Sequence, residues 1–446
     1  MNKKVIVIGG DAAGMSAASQ IKRQKKEWDV TVFEKGEYVS YAACGMPYYI
    51  EGVISHFNSL MEIKPETFIN DRKIDLRLNH EVMSIDPINK FVTVKNNKEE
   101  LKEKFDYLVI ATGASPNQGN FPVNAKNVFT LNNLYDTQKL YDFITANKPQ
   151  SCAVIGGGFI AIEMVEAFKE QGIDTCLIHR RDSLAKMFEK EVSDEILKKM
   201  DSKGVRLELN QNIKEIKEFR GNVVVVTENK EVNVDFVLLA IGVVPNTRFC
   251  KEANILTGVK NSVKVNEYLQ TNFEYIYSAG DCTETKSIVT GEKVFTPLAL
   301  KANREGMIAG LNISGANEKF TGVTETAITK IFDLGISRTG ITLERAVKND
   351  IDAVKFDLIS RTKARYYPGS EKMKSFIIAE RGSGKILGAQ LTGPVDAVKR
   401  IDVWSTAIFN KMTLNDVFDL DLAYAPPFAP VWDPVLLAAR VGRRHI

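Results

Sequence analysis

The first 35 residues carry a pattern of apolar and polar positions that is typical of a strand, a glycine turn, a helix and a second strand. The segments are KVIVIGG, DAAGMSAASQIKRQ and WDVTVFEK. A glycine turn between an apolar strand and a helix is typical of folds that bind a pyrophosphate, because glycine lets the phosphates approach the backbone. Gly9 and Gly14 hold the outer positions of this fingerprint, and Asp11 replaces its middle glycine. Glu34 ends the second strand, where a carboxylate can bind ribose hydroxyls.

The same order of elements recurs in residues 151–181, SCAVIGGGFIAIEMVEAFKEQGIDTCLIHRR. Glycines 156–158 form its turn, and Ala161 holds the third fingerprint position. In three further segments an apolar run leads into a glycine: YLVIATGASP, FVLLAIGVVPN and YIYSAGDC. In the last segment the apolar run is followed by Gly280 and Asp281, and the carboxylate of Asp281 is placed to hold the polyol chain of a cofactor. The pattern predicts two dinucleotide-binding folds; the alternative is that one of them is a βαβ unit without a nucleotide.

Composition excludes several classes of protein. The 446 residues include 59 Lys and Arg against 56 Asp and Glu, and this net charge of +3 argues against a nucleic-acid partner. No apolar run reaches the ~18 residues of a membrane span, and we expect neither a signal peptide nor a membrane partner. The five cysteines are odd in number and widely spaced, without a CxxC pair. They favour a reducing cytoplasmic location and predict no metal site.

The second strand of the second fold predicts which nicotinamide dinucleotide is bound. This strand ends in His179, Arg180 and Arg181, where folds that use NAD usually place Asp or Glu. Two arginines favour a 2′-phosphate through charge-assisted hydrogen bonds, so NADP(H) is expected in preference to NAD(H). The alternatives are that the arginines begin a solvated loop, or that both dinucleotides are used.

Together these segments resemble the pyridine nucleotide-disulfide oxidoreductases over essentially the whole chain. The resemblance implies an α/β fold with two Rossmann-like domains, the second inserted in the first, and a C-terminal α+β dimerisation domain. The implied boundaries are 1–115 and 247–325 for an FAD domain, 116–246 for an NAD(P) domain, and 326–446 for the dimerisation domain. It also implies that FAD and the nicotinamide dinucleotide are held by Gly9, Gly10, Asp11, Ala12, Ala13, Gly14, Glu34, Lys35, Ala111, Thr112, Gly113, Gly156, Gly158, Phe159, Ile160, Glu163, His179, Arg180, Arg181, Gly242, Gly280, Asp281, Pro297, Leu298 and Ala299.

The stretch SYAACGMPYYI contains one cysteine, Cys44, with Tyr49 at the position where the larger disulfide reductases carry a second cysteine. It resembles the SFxxCGxPY motif of the coenzyme A disulfide reductases within this family. The peroxidase and oxidase branch has a histidine in its first glycine loop, where this chain has Ala12. The resemblance therefore implies that oxidised Cys44 forms a mixed disulfide with coenzyme A. The alternative is a buried structural thiol.

Two C-terminal segments, RYYPG and DLAYAPPFAPVWDP, also resemble coenzyme A disulfide reductases. They imply a homodimer in which Tyr366 or Tyr367, and Tyr424, act at the substrate thiol of the partner subunit. The alternative is that these tyrosines pack at an interface.

The first predicted helix carries polar side chains on one face. They belong to Ser16, Gln20 and Arg23, which are spaced by four and three residues. The resemblance implies a coenzyme A channel formed by Ser16, Gln20, Arg23, Ser40, Ala43, Arg72, Lys73, Asn303 and Trp432.

The resulting hypothesis is an FAD-dependent enzyme that reduces coenzyme A disulfide with NAD(P)H through Cys44. Two alternatives use the same flavin and cysteine: an NAD(P)H oxidase, and a polysulfide or persulfide reductase. A redox sensor without turnover is a third alternative, and the intact second nucleotide fold argues against it.

Overall fold

The computed structural model describes residues 2–446. Its strands are β1 (Lys4–Ile8), β2 (Asp29–Phe33), β3 (Asp75–Arg77), β4 (Glu81–Asp86), β5 (Phe91–Lys95), β6 (Glu100–Lys104), β7 (Tyr107–Ile110), β8 (Ala114–Pro116), β9 (Val123–Asn124), β10 (Val128–Phe129), β11 (Ser151–Gly156), β12 (Asp174–Ile178), β13 (Arg206–Glu208), β14 (Ile213–Phe219), β15 (Asn222–Thr227), β16 (Glu231–Val234), β17 (Phe236–Ala240), β18 (Val243–Pro245), β19 (Ile276–Ser278), β20 (Thr285–Lys286), β21 (Lys293–Val294), β22 (Ala327–Ile331), β23 (Leu334–Gly340), β24 (Ala353–Arg361), β25 (Lys372–Glu380) and β26 (Ile386–Pro394). Its α-helices are α1 (Ala12–Gln24), α2 (Met46–Glu51), α3 (Leu134–Asn147), α4 (Phe159–Glu170), α5 (Lys190–Ser202), α6 (Arg248–Glu252), α7 (Ala299–Ile313), α8 (Leu343–Lys348), α9 (Ile401–Phe409), α10 (Leu414–Phe418) and α11 (Pro434–Gly442). Short turns of other helix types cover Ala43–Gly45, Phe57–Leu60, Thr67–Asp71, Val259–Asn261 and Ala397–Arg400.

The first parallel sheet has the strand order β19-β7-β1-β2-β3. The central strand β1 is a continuous apolar run, and Val5, Ile6 and Val7 are fully buried. Such runs are typical of parallel strands, because both faces of the sheet are covered. Helix α1 packs against α7 beside this sheet. The strand, helix and strand predicted for the first 35 residues are confirmed.

The second parallel sheet has the order β10-β17-β11-β12-β13 and repeats the architecture of the first. Its turn after β11 leads into α4, as the second glycine pattern predicts. The chain passes between the two sheets through β8 and β18, which pair in antiparallel fashion. Each of the two glycine turns begins at the carboxyl end of a central strand, β1 in the first sheet and β11 in the second.

The C-terminal sheet is antiparallel, with the order β22-β23-β26-β25-β24. Helices α9 and α11 pack against it around the buried Trp404. This α+β unit together with two parallel sheets confirms the predicted fold class. No helix within residues 2–446 has the length and apolar character needed to cross a membrane.

Polar contacts join the second parallel sheet and its helices to the C-terminal sheet. The Glu189 carboxylate accepts hydrogen bonds from the Leu343 N–H at 2.7 Å and the Lys355 ammonium at 3.3 Å. On α4, Glu166 pairs with Lys330 and accepts from the Phe332 N–H at 2.8 Å. These bonds fix the C-terminal unit against α4 and against the start of α5.

Helix α2 follows the first nucleotide-binding pattern in sequence but packs against the second unit. Met46, Tyr49 and Ile50 are buried in the apolar core that surrounds the second sheet, which also contains Phe168 of α4. Helix α2 contacts both α3 and α4. Because Cys44 lies directly before α2, this packing places the cysteine where the two nucleotide-binding units meet.

Candidate active site

The first glycine turn follows β1, and its shape requires glycine. Gly9 has a φ of +109°, and a Cβ there would lie 2.1 Å from the Ala111 carbonyl oxygen. A Cβ on Gly14 would lie 1.9 Å from the Gly9 carbonyl oxygen. The Gly10 N–H donates to the Glu34 carboxylate at 2.7 Å. Helix α1 can therefore start close against β1 and β7, which leaves room for a phosphate at its N-terminus.

Asp11 lies in this turn and contacts the segment that carries Cys44. Its carboxylate accepts a hydrogen bond from the Tyr41 N–H at 3.2 Å, and the Ser40 N–H donates to the Gly10 carbonyl at 3.1 Å. Burial raises the pKa of Asp11 to about 6, and the nearby Glu34 carboxylate adds to the rise. The glycine turn and the cysteine segment are thus joined by two direct hydrogen bonds.

Asp281 follows β19 and presents an acceptor to the same site. Its Oδ1 is buried and has no hydrogen-bond partner among the described residues. Burial raises the pKa of this carboxyl group, while the ammonium of Lys301 opposes the rise. Thr112, which follows β7, donates its hydroxyl to the Asn246 carbonyl oxygen at 2.7 Å. A buried acceptor without a partner fits a ligand that brings hydroxyl donors, as a polyol chain does.

The second glycine turn follows β11 in the same way. A Cβ on Gly156, whose φ is +147°, would lie 2.2 Å from the Ala240 carbonyl oxygen. A Cβ on Gly157 would lie 2.7 Å from the His179 ring. Arg180 and Arg181 follow His179 at the end of β12 and face the same space. Two cationic side chains therefore stand where the second fold would present the ribose of a dinucleotide.

One cavity of about 2340 Å³ connects the two glycine turns. The predicted residues that line it are Gly9, Gly10, Asp11, Glu34, Lys35, Ala43, Cys44, Ala111, Thr112, Gly113, Gly156, Gly158, Phe159, Ile160, Glu163, His179, Arg180, Arg181, Gly242, Asp281, Pro297, Leu298 and Ala299. Ala12, Ala13, Gly14 and Gly280 lie behind its wall, as parts of α1 and of the turn after β19. The structure therefore brings both sets of predicted nucleotide ligands to a single space.

Cys44 is exposed within this cavity, whereas Cys152, Cys176, Cys250 and Cys282 are buried outside its lining. All five are free thiols. Burial by the cavity wall raises the pKa of Cys44, and the negative charges of nearby Glu163, Asp281 and Asp11 raise it further. The protein side chains alone thus favour the protonated thiol.

The polar face of α1 lies outside the cavity lining and forms a strip toward α7. The Ser16 hydroxyl donates to the Asn303 side-chain oxygen at 2.8 Å, and an Arg23 N–H reaches the Gln20 side-chain oxygen at 3.4 Å. Further along, Arg72 donates to the Ser19 hydroxyl at 2.6 Å. Lys73, with a φ of +55°, is exposed next to Arg72. The structure brings five of the predicted residues together along α1: Ser16, Gln20, Arg23, Arg72 and Asn303.

Two family models match the chain. Residues 3–306 match the model described as pyridine nucleotide-disulphide oxidoreductase, and residues 326–434 match the dimerisation domain of the same family. The chain belongs to this family. It is therefore an NAD(P)H-dependent flavoprotein oxidoreductase, and its dimerisation domain indicates a homodimer.

Relatives in the pyridine nucleotide-disulphide oxidoreductase family align over nearly the whole chain. A Pyrococcus horikoshii protein named NAD(P)H coenzyme A polysulfide/persulfide reductase is 42% identical over 443 residues, which are 99% of this chain and 98% of the relative. A Staphylococcus epidermidis coenzyme A disulfide reductase is 32% identical over 429 residues, 96% of each chain. The crystal structure of reduced Bacillus anthracis CoADR-RHD superposes with a TM-score of 0.97 at 34% identity, covering 100% of this chain and 80% of that one.

Membership in this family implies FAD and NAD(P)H, and the residues present fit FAD. The first glycine turn leaves room for a pyrophosphate, and the buried Asp281 oxygen without a partner suits the hydroxyls of a flavin chain. Pro297, Leu298 and Ala299 line the cavity where α7 begins, so the positive end of this helix points into it.

The tyrosines of the oxidoreductase's C-terminal unit do not line the Cys44 cavity of their own chain. Tyr366 is 77% exposed, and Tyr367 and Tyr424 are also exposed. An interaction between the Tyr366 and Tyr424 hydroxyls raises the pKa of Tyr424. Trp432 stacks on Phe418 and is likewise outside the cavity. These aromatic side chains lie within the part of the chain that matches the dimerisation domain.

Two features of this oxidoreductase site lie beyond the predicted residues. Tyr48 and the α9 residues Asp402 and Ser405 also line the cavity. Below the Gly280 turn, Lys301 and Glu305 form a buried ion pair. The four-residue spacing of a lysine and a glutamate on a predicted helix is the signal that could have found the pair. The burial of the two side chains depends on contacts that are distant in sequence.

Proposed function

We propose that this enzyme reduces coenzyme A disulfide with NAD(P)H, using Cys44 as its redox thiol. The observation that carries the proposal is the placement of Cys44. Among the described residues it is the cysteine that faces the cavity between the two glycine turns, and the other four are buried elsewhere. A disulfide substrate can reach this thiol, and no second protein thiol is available to close on it.

The proposed chemistry at Cys44 is thiol–disulfide exchange. The Cys44 thiol first loses its proton to solvent, and the thiolate attacks one sulfur of coenzyme A disulfide, which forms a Cys44–coenzyme A disulfide and releases one coenzyme A thiolate. Two electrons then cleave the mixed disulfide and return Cys44 and a second coenzyme A as thiolates. FAD, when bound, passes these electrons from the nicotinamide to sulfur. The overall reaction consumes one NAD(P)H and one proton and yields two molecules of coenzyme A.

We further propose NADP(H) as the preferred dinucleotide, with Arg180 and Arg181 as the ligands of its 2′-phosphate. Both side chains line the cavity directly after β12. Guanidinium groups bind phosphate through charge-assisted, often bidentate hydrogen bonds. The adjacent His179 ring lies against the second glycine turn and supports the start of this segment.

For coenzyme A, the proposed surface runs along α1 toward the tyrosines of the partner subunit. Ser16 and Asn303, with Gln20, Arg23 and Arg72, form a polar strip that a phosphate-bearing ligand can follow. Tyr424 and the Tyr366–Tyr367 pair would reach Cys44 from the second chain and protonate the departing thiolate. The five unpaired cysteines support a cytoplasmic location.

The test of this function is replacement of Cys44 by Ser. Disulfide reduction should be lost, while FAD stays bound and is still bleached by NADPH, because hydride transfer to the cofactor needs no thiol. Mass spectrometry of the wild-type protein should find the mass of coenzyme A on Cys44. Replacement of the buried Cys250 by Ala serves as the control and should leave turnover intact. Undiminished disulfide reduction by Cys44→Ser protein would exclude the proposal.

A coenzyme A-dependent polysulfide or persulfide reductase is the second candidate. It is favoured by the higher identity to the Pyrococcus horikoshii protein of that name, 42%, than to the Staphylococcus epidermidis coenzyme A disulfide reductase, 32%. The two activities are separated by comparing kcat/KM for coenzyme A disulfide with kcat/KM for polysulfide, with and without added coenzyme A.

A further inference from the structure

Two charged side chains of α7 are buried beneath the turn that carries Asp281. Lys301 and Glu305 are one helical turn apart, and their side chains are 1% and 0% exposed. The Lys301 ammonium lies 2.9 Å from the Glu305 Oε2. Charged side chains are rarely buried this completely without a specific role, because burial removes the hydration that stabilises each charge.

Both members of the pair hold the backbone of Gly280. The Lys301 ammonium donates to the Gly280 carbonyl at 2.8 Å and to the Thr283 carbonyl at 3.2 Å. The Gly280 N–H donates to the Glu305 Oε2 at 2.9 Å. Gly280 is in the left-handed region with a φ of +85°, and a Cβ there would lie 2.8 Å from the Ala13 Cβ. The pair therefore fixes the residue that precedes Asp281 on both sides of its Cα.

Asp281 itself depends on this support. Its Oδ1 is buried without a partner, and the residue lines the cavity. No hydrogen bond of its own side chain anchors it within the described residues, so the position of the carboxylate follows from the backbone of the turn. A buried ion pair adds little to stability compared with apolar side chains of similar size, but it can impose a specific geometry.

We propose that Lys301 and Glu305 are positioning residues that hold the Gly280–Asp281 turn in the conformation that binds FAD. The ligands of the flavin would then include Asp281, and the pair would act through it. This inference rests on FAD binding at the turn. Purified wild-type protein without flavin would contradict FAD binding itself, whereas the comparison below tests the pair in protein that does hold flavin.

The experiment compares two double variants, Lys301→Met/Glu305→Gln and Lys301→Met/Glu305→Leu. Both remove the two charges and keep similar side-chain volumes, but only Gln keeps an acceptor for the Gly280 N–H. FAD release from diluted holoprotein is followed by flavin fluorescence, and far-UV circular dichroism reports the fold. We expect the Leu variant to release FAD at least about tenfold faster than the Gln variant, with both folded at 25 °C.

Equal release rates for the two double variants would overturn the proposal. If the Leu variant does not fold, the Gln variant is compared with wild type instead. It lacks the Lys301 bonds to the carbonyls of Gly280 and Thr283 and should release FAD about threefold faster or more; an unchanged rate overturns the proposal. The matched control is Lys319→Met, which breaks the exposed Lys319–Glu267 pair and should leave the release rate at the wild-type value.

Discussion

Asp11 places a carboxyl group in a loop whose expected ligand is a pyrophosphate. Burial is the main cause that raises the pKa of Asp11 to about 6, and Glu34 and Asp281 add negative charge nearby. The hydrogen bond from the Tyr41 N–H opposes the rise. Because the pKa of Asp11 is higher in the folded protein than its ordinary value of 3.8, the folded state binds the proton more tightly than the unfolded state. The contribution of Asp11 to the free energy of unfolding therefore falls as the pH rises from about 4 to about 6. A pyrophosphate bound next to this carboxyl group would raise its pKa further, because two negative charges repel each other, so FAD binding should take up a proton.

The first prediction follows from that linkage. FAD release from the wild-type protein should become faster as the pH rises from about 6 to about 8, because ionised Asp11 repels the pyrophosphate. Asp11→Asn removes the charge and keeps an acceptor for Tyr41, so its release rate should be slower and nearly independent of pH. Flavin fluorescence measures both rates. Asp201→Asn, an exposed change on α5, should behave as wild type; a pH dependence that persists in Asp11→Asn protein would contradict the assignment.

The second prediction concerns the arginines after β12. Replacing Arg180 and Arg181 by Gln should raise KM for NADPH by a factor of about 10 to 150 for each lost charged hydrogen bond, which corresponds to ~1.5 to 3 kcal/mol. KM for NADH should change by less than about threefold, because NADH lacks the 2′-phosphate. Arg220→Gln, at an exposed position of the same unit, provides the control. Equal effects on the two dinucleotides would assign the arginines to the solvated surface.

At the scale of elements, α1 and α7 approach each other through glycine. A Cβ on Gly306 would lie 2.1 Å from the Ala13 carbonyl oxygen, and one on Gly310 would lie 2.7 Å from the Ala17 carbonyl oxygen. The two helices carry the first glycine turn and the Lys301–Glu305 pair, respectively. Their spacing therefore sets the distance between the pyrophosphate loop and the start of α7 in the cavity.

The third prediction tests this spacing. Gly306→Ala should force α7 away from α1 and destabilise the protein by about 1 to 3 kcal/mol, as overpacking of a tight contact usually does. The thermal midpoint should fall and FAD release should accelerate together. Met307→Ala changes the next, exposed residue of α7 and should alter neither quantity appreciably. An unchanged midpoint of thermal unfolding in Gly306→Ala protein would contradict this prediction, because it would show that α1 and α7 can move apart without a loss of folding free energy.

Elements whose signal is local were predicted correctly from the sequence. The strands before Gly9 and Gly156 and the turn at Gly280 are recognisable because each is a short apolar run that ends in glycine. The burial of Lys301 and Glu305 was not predicted, since it depends on the packing of α7 against α1 and the Gly280 turn. The domain boundaries and the roles of the tyrosines stay predictions.

At the scale of the whole molecule, the catalytic role proposed for the exposed tyrosines depends on a second chain. Tyr366 and Tyr424 lie close to each other but outside the Cys44 cavity of their own subunit. If they serve the partner's Cys44, each site combines residues of two chains, and a monomer cannot complete turnover.

The fourth prediction mixes Cys44→Ser subunits with Tyr424→Phe subunits. Tyr424→Phe alone should slow reoxidation by disulfide without changing reduction by NADPH. In a heterodimer one site receives both changes and the other receives neither. With random exchange half of the molecules are heterodimers, each with one intact site, so about a quarter of wild-type activity should return if Tyr424→Phe protein alone is nearly inactive. Activity that stays at the level of the separate variants, with exchange demonstrated by mass spectrometry, would contradict a shared site.

The packing of α2 determines which part of the protein α2 should unfold with in a local unfolding event. Met46, Tyr49 and Ile50 are buried in the core around the second sheet, although α2 follows the first nucleotide-binding pattern in the chain. Native proteins open in cooperative units that follow their packing. A fluctuation that opens the second unit should therefore release the cysteine segment as well, while β1 and α1 stay closed. Amide hydrogen exchange should show α2 exchanging at the rate of α4 and not at the rate of α1.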